Sequence, residues 1–103
     1  MKIELFSVPG CVACVSVRRS LEIIAQERSD IVVEEVDLSI NPERGSRYAI
    51  LACPALVINE KVEVIGAINV KRMRRLFSDI DAKVALRSRD LPLSSETLME
   101  AER

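Results

Sequence analysis

The chain has 103 residues, a length that suits one domain with an adequate hydrophobic core. An apolar fraction of 49%, with charged residues of both signs, is typical of a globular protein and excludes intrinsic disorder. The net charge of −1 excludes a general basic surface for nucleic acid, and no apolar run approaches the roughly 18 residues of a membrane span.

The first half of the chain alternates between strand and helix patterns. Residues Lys2 to Ser7 alternate apolar and polar side chains and predict a strand, which Pro9-Gly10 ends. Apolar residues then recur with helical spacing, so we predict a helix of about four turns starting near Cys11. Its buried stripe would be Val17, Leu21, Ile24 and Ala25. The β-branched segment from Ile31 to Leu38 predicts a second strand.

The second half begins with a helix start, in which Asn41 is the N-cap and Pro42 the first helical residue. We predict that this helix runs to about Ile50. The segment from Ala55 to Ile58 is apolar throughout, as in a central strand, and Asn59-Glu60 turns it into a β-hairpin. A last helix is predicted, and its cap and buried stripe would be Asn69, Val70, Met73, Phe77, Ile80 and Val84.

The predicted element order is β-α-β-α-β-β-α, which places the chain in the α/β class. Two strands joined through a helix are parallel with a right-handed crossover, whereas the hairpin strands are antiparallel. We therefore predict a four-stranded mixed sheet flanked by helices on both faces. The domain would cover residues 1–86, and residues 87–103 would form a C-terminal tail or a short extra helix.

Two cysteines, Cys11 and Cys14, are separated by two residues where the first strand meets the first helix. The unpaired N–H groups and the dipole of a helix start favour the thiolate of Cys11, and the chain has no His to activate it otherwise. Cys14 lies one turn further on, within reach of Cys11. The spacing predicts thiol–disulfide exchange, in which Cys11 attacks a disulfide and Cys14 resolves the mixed disulfide. The alternative is a buried pair without chemistry.

The compartment bears on what these cysteines do. The segment "KIELF" follows the first residue directly, without the pattern of a signal peptide, so we expect a cytoplasmic protein. Permanent disulfides are rare there, and three cysteines are an odd number for a disulfide scaffold. In such a chain a CxxC pair indicates redox or metal chemistry.

Several segments resemble one known family over residues 1 to about 84. They are "VPGCVAC" after the first strand, "VDLSINPERGSRYAI", "CPALVINEKVEVIG" and the closing helix. In this order they are similar to the thioredoxin superfamily, and more closely to its small glutaredoxin-like members. The resemblance implies a thioredoxin-like fold and a protein disulfide oxidoreductase. It also implies that Pro54 follows a cis peptide bond beside the CxxC pair.

The same resemblance implies that a substrate chain binds next to the CxxC pair. The residues that would bind it are Pro9, Gly10, Val12, Cys53, Pro54 and Gly66. The backbone of Cys53 would pair with the substrate by β-strand addition.

The chain departs from glutaredoxins at the groups that hold glutathione. Val8 stands where these proteins carry a Lys, and Val12-Ala13 replace a Tyr within the motif. The Gly-Gly-acid segment before the last helix is "GAIN", residues 66–69. These differences argue against a glutathione-specific enzyme.

The chain also departs from thioredoxins. The positions of their buried Asp and of the Trp before the first Cys hold Leu5 and Gly10. Glu4 is a neighbour in sequence, but we expect it on the opposite face of the strand. No general base for the resolving thiol is therefore identified.

Cys53 directly precedes Pro54 and would face the CxxC pair. Three interpretations of it stay open: a small residue that fills space, a third redox thiol, and a ligand of a metal or iron–sulfur cluster. A closed zinc site would need a fourth ligand, because the chain offers three Cys and no His.

We expect a monomeric thiol–disulfide oxidoreductase that needs no cofactor and reduces protein disulfides with electrons from an unidentified reductase. Its partners would include neither nucleic acid nor a membrane. The alternative is a metal- or iron–sulfur-binding carrier that uses Cys11, Cys14 and Cys53 as ligands.

Overall fold

The computed structural model of the chain describes residues 1–90, in which the elements follow the predicted order. The strands are β1 (Lys2–Ser7), β2 (Val32–Asp37), β3 (Ala55–Ile58) and β4 (Lys61–Ile65). The helices are α1 (Val12–Glu27), α2 (Pro42–Ser46) and α3 (Val70–Asp90). The tail or short helix predicted for residues 87–103 overlaps the end of α3 and otherwise lies outside the described residues.

The four strands form one mixed sheet in the order β2-β1-β3-β4. β1 pairs with β2 in parallel and with β3 antiparallel, and β3 pairs antiparallel with β4. This arrangement confirms the predicted mixed four-stranded sheet. β1 is an inner strand, and its residues from Ile3 to Ser7 are buried.

Side chains of β1 alternate between the two faces of the sheet. On one face Leu5 and Leu21 line the same groove between β1, β2 and α1. On the other face Phe6 belongs to a buried cluster that includes Ile50, which lies in the turns that follow α2. Helical segments therefore cover both faces, and the predicted stripe of α1 is buried at Val17, Leu21 and Ile24.

Helix α2 is shorter than its pattern predicts. It ends at Ser46, and the prediction that it continues to about Ile50 is wrong. Ala49 has a positive φ of 55°, and the N–H of Ile50 donates to the carbonyl of Gly45 at 2.9 Å. The chain turns here because Ile50 must reach the core, where it is buried.

The β3–β4 hairpin closes through a two-residue turn. Asn59 and Glu60 have φ values of 51° and 68°, the conformation of a type I′ turn. The side-chain Oδ1 of Asn59 accepts a hydrogen bond from the backbone N–H of Lys2 at 2.9 Å. The backbone N–H of Asn59 donates to the Lys2 carbonyl at 2.8 Å. The turn is thus held to the start of β1.

Glu4 is a buried carboxylate on β1, with 2% of its surface exposed. Its side chain accepts a hydrogen bond from Nη2 of Arg44 at 2.6 Å and another from the hydroxyl of Tyr48 at 3.3 Å. Arg44 also forms an ion pair with Glu34 on β2. Glu4 therefore shares the face of Phe6, as expected, and is turned away from α1.

The chain divides after Met73 into two compact units. The first unit contains the sheet, α1, α2 and the first turn of α3. In the second unit Phe77 and Ile80 are buried, whereas Val84 is 50% exposed. The buried stripe predicted for α3 therefore extends as far as Ile80. Val84 lies one turn beyond this last buried residue. Within residues 1–90, none of the helices has the length and apolarity to span a bilayer.

The type I′ turn generates a stability prediction. Glu60→Gly is expected to raise the free energy of unfolding by about 0.5–1 kcal/mol, because Gly adopts a positive φ without the steric cost that Glu carries. Asn59→Gly is the contrast. It removes the hydrogen bond from the Lys2 N–H to the Asn59 side chain, so the free energy of unfolding should fall by about 1 kcal/mol. Urea denaturation followed by circular dichroism measures both, and equal effects would contradict the assignment of strain to Glu60.

The Glu4–Arg44 pair generates a second prediction. Arg44→Met should lower the free energy of unfolding by about 3 kcal/mol, because it leaves the buried Glu4 carboxylate without its charged partner. Arg47→Met is the matched control on an exposed neighbour and should change stability by less than about 0.5 kcal/mol. If the two variants melt alike, Glu4 does not depend on Arg44.

Candidate redox site

A tight turn carries the chain from β1 into α1. The N–H of Cys11 donates to the carbonyl of Val8 at 3.4 Å, and Gly10 has a φ of 80°. Pro at the second position and Gly with positive φ at the third are the features of a type II turn. This turn puts Cys11 at the start of the helix.

Cys11 is the N-cap of α1. Its φ and ψ of −83° and 107° are extended, and its Sγ accepts a hydrogen bond from the N–H of Cys14 at 3.1 Å. The sulfur thus takes the place that a Ser or Asp oxygen usually takes at a helix start. Because the donor and the helix dipole both point at the sulfur, negative charge is stabilised there. Cys11 is also only partly buried, so a substrate can reach it.

Cys14 has a different environment one turn further on. Its surface is 1% exposed, and burial, followed by the hydrogen bond with the Cys11 side chain, raises the pKa of Cys14 to about 11. Cys14 therefore remains a protonated thiol near neutral pH, in contact with the sulfur of Cys11. Both are free thiols, so the structure represents the reduced pair.

Cys53 and Pro54 lie at the start of β3. The peptide bond between them is cis, as the resemblance implied. Pro54 is buried, and its carbonyl accepts a hydrogen bond from the N–H of Gly66 at 2.7 Å. Burial, followed by the negative charges of Cys11 and Asp37, raises the pKa of the partly buried Cys53. Cys53 is therefore close enough to Cys11 to interact with it.

The other predicted substrate-binding residues surround these thiols. Pro9 and Gly10 are exposed in the turn, and the side chain of Val12 is 84% exposed directly beside Cys11. Gly66 is half-buried and bonded to Pro54. The six predicted positions thus belong to the turn before α1, to the first residue of α1, or to the segments that flank β3 and β4.

The contributions of Val8 and Asp37 near the thiols were not predicted from the sequence. The backbone of Val8 bonds both to Cys11 N–H and to the Cys14 side chain, a role that no side-chain pattern reveals. Asp37 places a negative charge near Cys53. A signal for Asp37 was present, because it ends β2, and the carboxyl ends of the parallel strands β1 and β2 lie at the same edge of the sheet.

An ion pair between Arg18 and Glu35 lies near Cys14. Arg18 donates two hydrogen bonds to Glu35, at 2.6 and 2.5 Å, and the buried Ser7 hydroxyl donates to the same carboxylate at 2.9 Å. Arg18 holds the pKa of Glu35 below its ordinary range, which makes Glu35 a weak base. Glu35 pairs with Leu5, the position at which thioredoxins carry their buried Asp. Because its pKa is lowered, Glu35 does not replace that Asp as a general base.

A family model and individual relatives both match this chain to the same family. The family model described as thioredoxin domain matches residues 1–78. A thioredoxin of Methanocaldococcus jannaschii is 44% identical over 68 residues, which cover 65% of this chain and 80% of the relative. A probable thioredoxin of Methanothermobacter marburgensis is 31% identical over 80 residues, which cover 77% of this chain and 94% of that protein.

Solved structures show the same fold. The oxidised mitochondrial thioredoxin 3 of Saccharomyces cerevisiae superposes with a TM-score of 0.65 at 20% identity, covering 76% of each chain. A mutant thioredoxin of Halobacterium salinarum gives a TM-score of 0.64 at 22% identity, covering 73% of this chain and 69% of that one. The chain belongs to the thioredoxin family and is a protein disulfide oxidoreductase.

Proposed function

We propose that this protein reduces disulfides in other proteins, with Cys11 as the nucleophile and Cys14 as the resolving thiol. The observation that carries the proposal is the contrast between the two sulfurs. Cys11 is accessible and accepts the N–H of Cys14 at a helix start, whereas Cys14 is buried and protonated beside it. One sulfur is arranged to meet a substrate and the other to react only afterwards.

The exchange proceeds in two steps. The Cys11 thiolate attacks one sulfur of the substrate disulfide, a Cys11–substrate disulfide forms, and the other substrate sulfur leaves as a thiolate. Cys14 then attacks Cys11, the Cys11–Cys14 disulfide forms, and the second substrate sulfur leaves, while the proton of Cys14 goes to the departing thiolates or to water. Two electrons pass from the cysteine pair to the substrate.

The surface around Cys11 suits an extended polypeptide. Val12, Leu51 and Ile65 are 84%, 96% and 57% exposed, so apolar side chains border the turn and the two strand ends. Among the described residues, the backbone of Cys53 takes part in none of the hydrogen bonds that join loops and turns. Its N–H and carbonyl are thus available to a substrate strand, which supports β-strand addition at Cys53.

The direction of the reaction follows from the compartment. We place the protein in the cytoplasm, where the thiol pool keeps most disulfides reduced and a CxxC pair acts as a reductant. It would act as a monomer through residues 1–86 and receive its electrons from a separate reductase.

The carrier interpretation gains no support from the arrangement of the ligands. Among residues 1–90, no group of three or more His, Cys, Asp or Glu side chains is placed to hold a metal ion. Cys11 and Cys14 are instead engaged with each other by a hydrogen bond.

Reduction of insulin by dithiothreitol tests the proposed roles. Cys11→Ser should lower the rate to that of dithiothreitol alone, because no other sulfur of residues 1–90 combines access with a helix start. Ile23→Ser introduces the same residue at an exposed position of the same helix and should keep the wild-type rate. Full activity of Cys11→Ser would assign the nucleophile to another residue.

Metal analysis separates the enzyme from the carrier. Protein purified without oxygen should be colourless and should contain iron and zinc far below one ion per chain. A stoichiometric metal content that disappears in Cys53→Ser would instead make the three thiols a ligand set.

A further inference from the structure

The pairing of β1 with β3 carries Cys53 to the redox turn. The last paired residues are Phe6 and Ala55, and the strands run antiparallel. Continuing this register by two residues brings Pro54 level with Ser7 and Cys53 level with Val8. Val8 is the residue whose backbone bonds to both Cys11 and Cys14. Three thiols therefore gather around one backbone segment.

Cys53 also has the accessibility that a reacting thiol needs. It is partly buried, like Cys11, whereas Cys14 is almost fully enclosed. Burial and then the negative charge of Cys11 raise the pKa of Cys53, in agreement with the closeness that the strand register gives the two residues. The hydrogen bond from the Gly66 N–H to the Pro54 carbonyl holds this segment at the start of β3.

We propose that Cys53 is a second resolving thiol, which forms a Cys11–Cys53 disulfide in competition with the Cys11–Cys14 disulfide. This inference rests on the proposed function, because it requires Cys11 to be the sulfur that attacks the substrate. It differs from the usual two-cysteine scheme in giving the mixed disulfide two routes of release, one from the helix and one from the β3 side of the groove.

The additional step balances as the first one does. Cys53 attacks the sulfur of Cys11 in the mixed disulfide, the bond between Cys11 and the substrate breaks, and a Cys11–Cys53 bond forms. The substrate sulfur leaves as a thiolate and takes up the proton that Cys53 releases. Cys11 and Cys53 together supply the two electrons that reduce the substrate disulfide.

Removing Cys14 isolates this route. Reduced Cys14→Ser protein is mixed with one equivalent of dithionitrobenzoate, an aromatic disulfide that releases a coloured thiolate at each of the two steps. Attack by Cys11 releases the first thiolate and leaves the other half bound. Resolution by Cys53 releases the second, so we expect two thiolates for each molecule of reagent. The matched Cys14→Ser/Cys53→Ser variant should release one, a twofold difference.

Peptide mapping identifies the bond that forms. Trypsin separates residues 3–18, which contain Cys11, from residues 48–61, which contain Cys53. Monomeric Cys14→Ser protein after the reaction should yield these two peptides joined by a disulfide. Cys14→Ala serves as a second background and should give the same result, and circular dichroism checks that every variant is folded.

The outcomes separate the two proposals. One thiolate from folded Cys14→Ser, with a persistent mixed disulfide on Cys11, would overturn the role of Cys53 and leave Cys11 as the nucleophile. Failure of Cys11 to release even the first thiolate, in the wild type as in the variants, would overturn both. Two thiolates together with the joined peptides would establish the second route.

Discussion

The chemistry of this protein depends on one hydrogen bond, from the N–H of Cys14 to the sulfur of Cys11 at 3.1 Å. It exists because the type II turn at Pro9-Gly10 stops β1 and starts α1 with Cys11 as the cap. The same helical turn then carries Cys14 into the core, where it is 1% exposed. One local backbone geometry thus makes two chemically equal residues different, since one sulfur faces solvent and a donor while the other is enclosed.

The sheet brings the second half of the chain to this turn. β1 is buried between β2 and β3, and its antiparallel pairing with β3 leads Pro54 and Cys53 back to the start of α1. Gly66 follows because β4 pairs with β3. The site is therefore assembled from Cys11 and Cys53, which are 42 residues apart in the chain. Disrupting the core under β1 would separate Cys53 from the CxxC pair.

Two carboxylates of the sheet, the buried Glu4 and the exposed Glu35, have structural roles. Glu4 is bound by Arg44 on the face of Phe6, and Glu35 is bound by Arg18 and Ser7 beside α1. Each carboxylate is held by an arginine, and Arg18 holds the pKa of Glu35 below its ordinary range, which reduces its value as a base. Deprotonation of the buried Cys14 then has to accompany the exchange itself, with the proton passing to the departing substrate thiolates or to water.

The amino-acid pattern alone determined the element order, the strand directions, the Pro9-Gly10 break and the position of Cys11 at a helix start, because these follow from local periodicity and turn chemistry. It misjudged the end of α2 and the exposure of Val84, which depend on where Ile50 enters the core and how far burial extends along α3. Only the tertiary structure decided that the backbone of Val8 bonds to both Cys11 and Cys14, and that Asp37 and Cys53 lie near these thiols. The end of β2 and the position before Pro54 gave signals for Asp37 and Cys53, but the contacts themselves result from pairing between distant strands, which local periodicity does not encode.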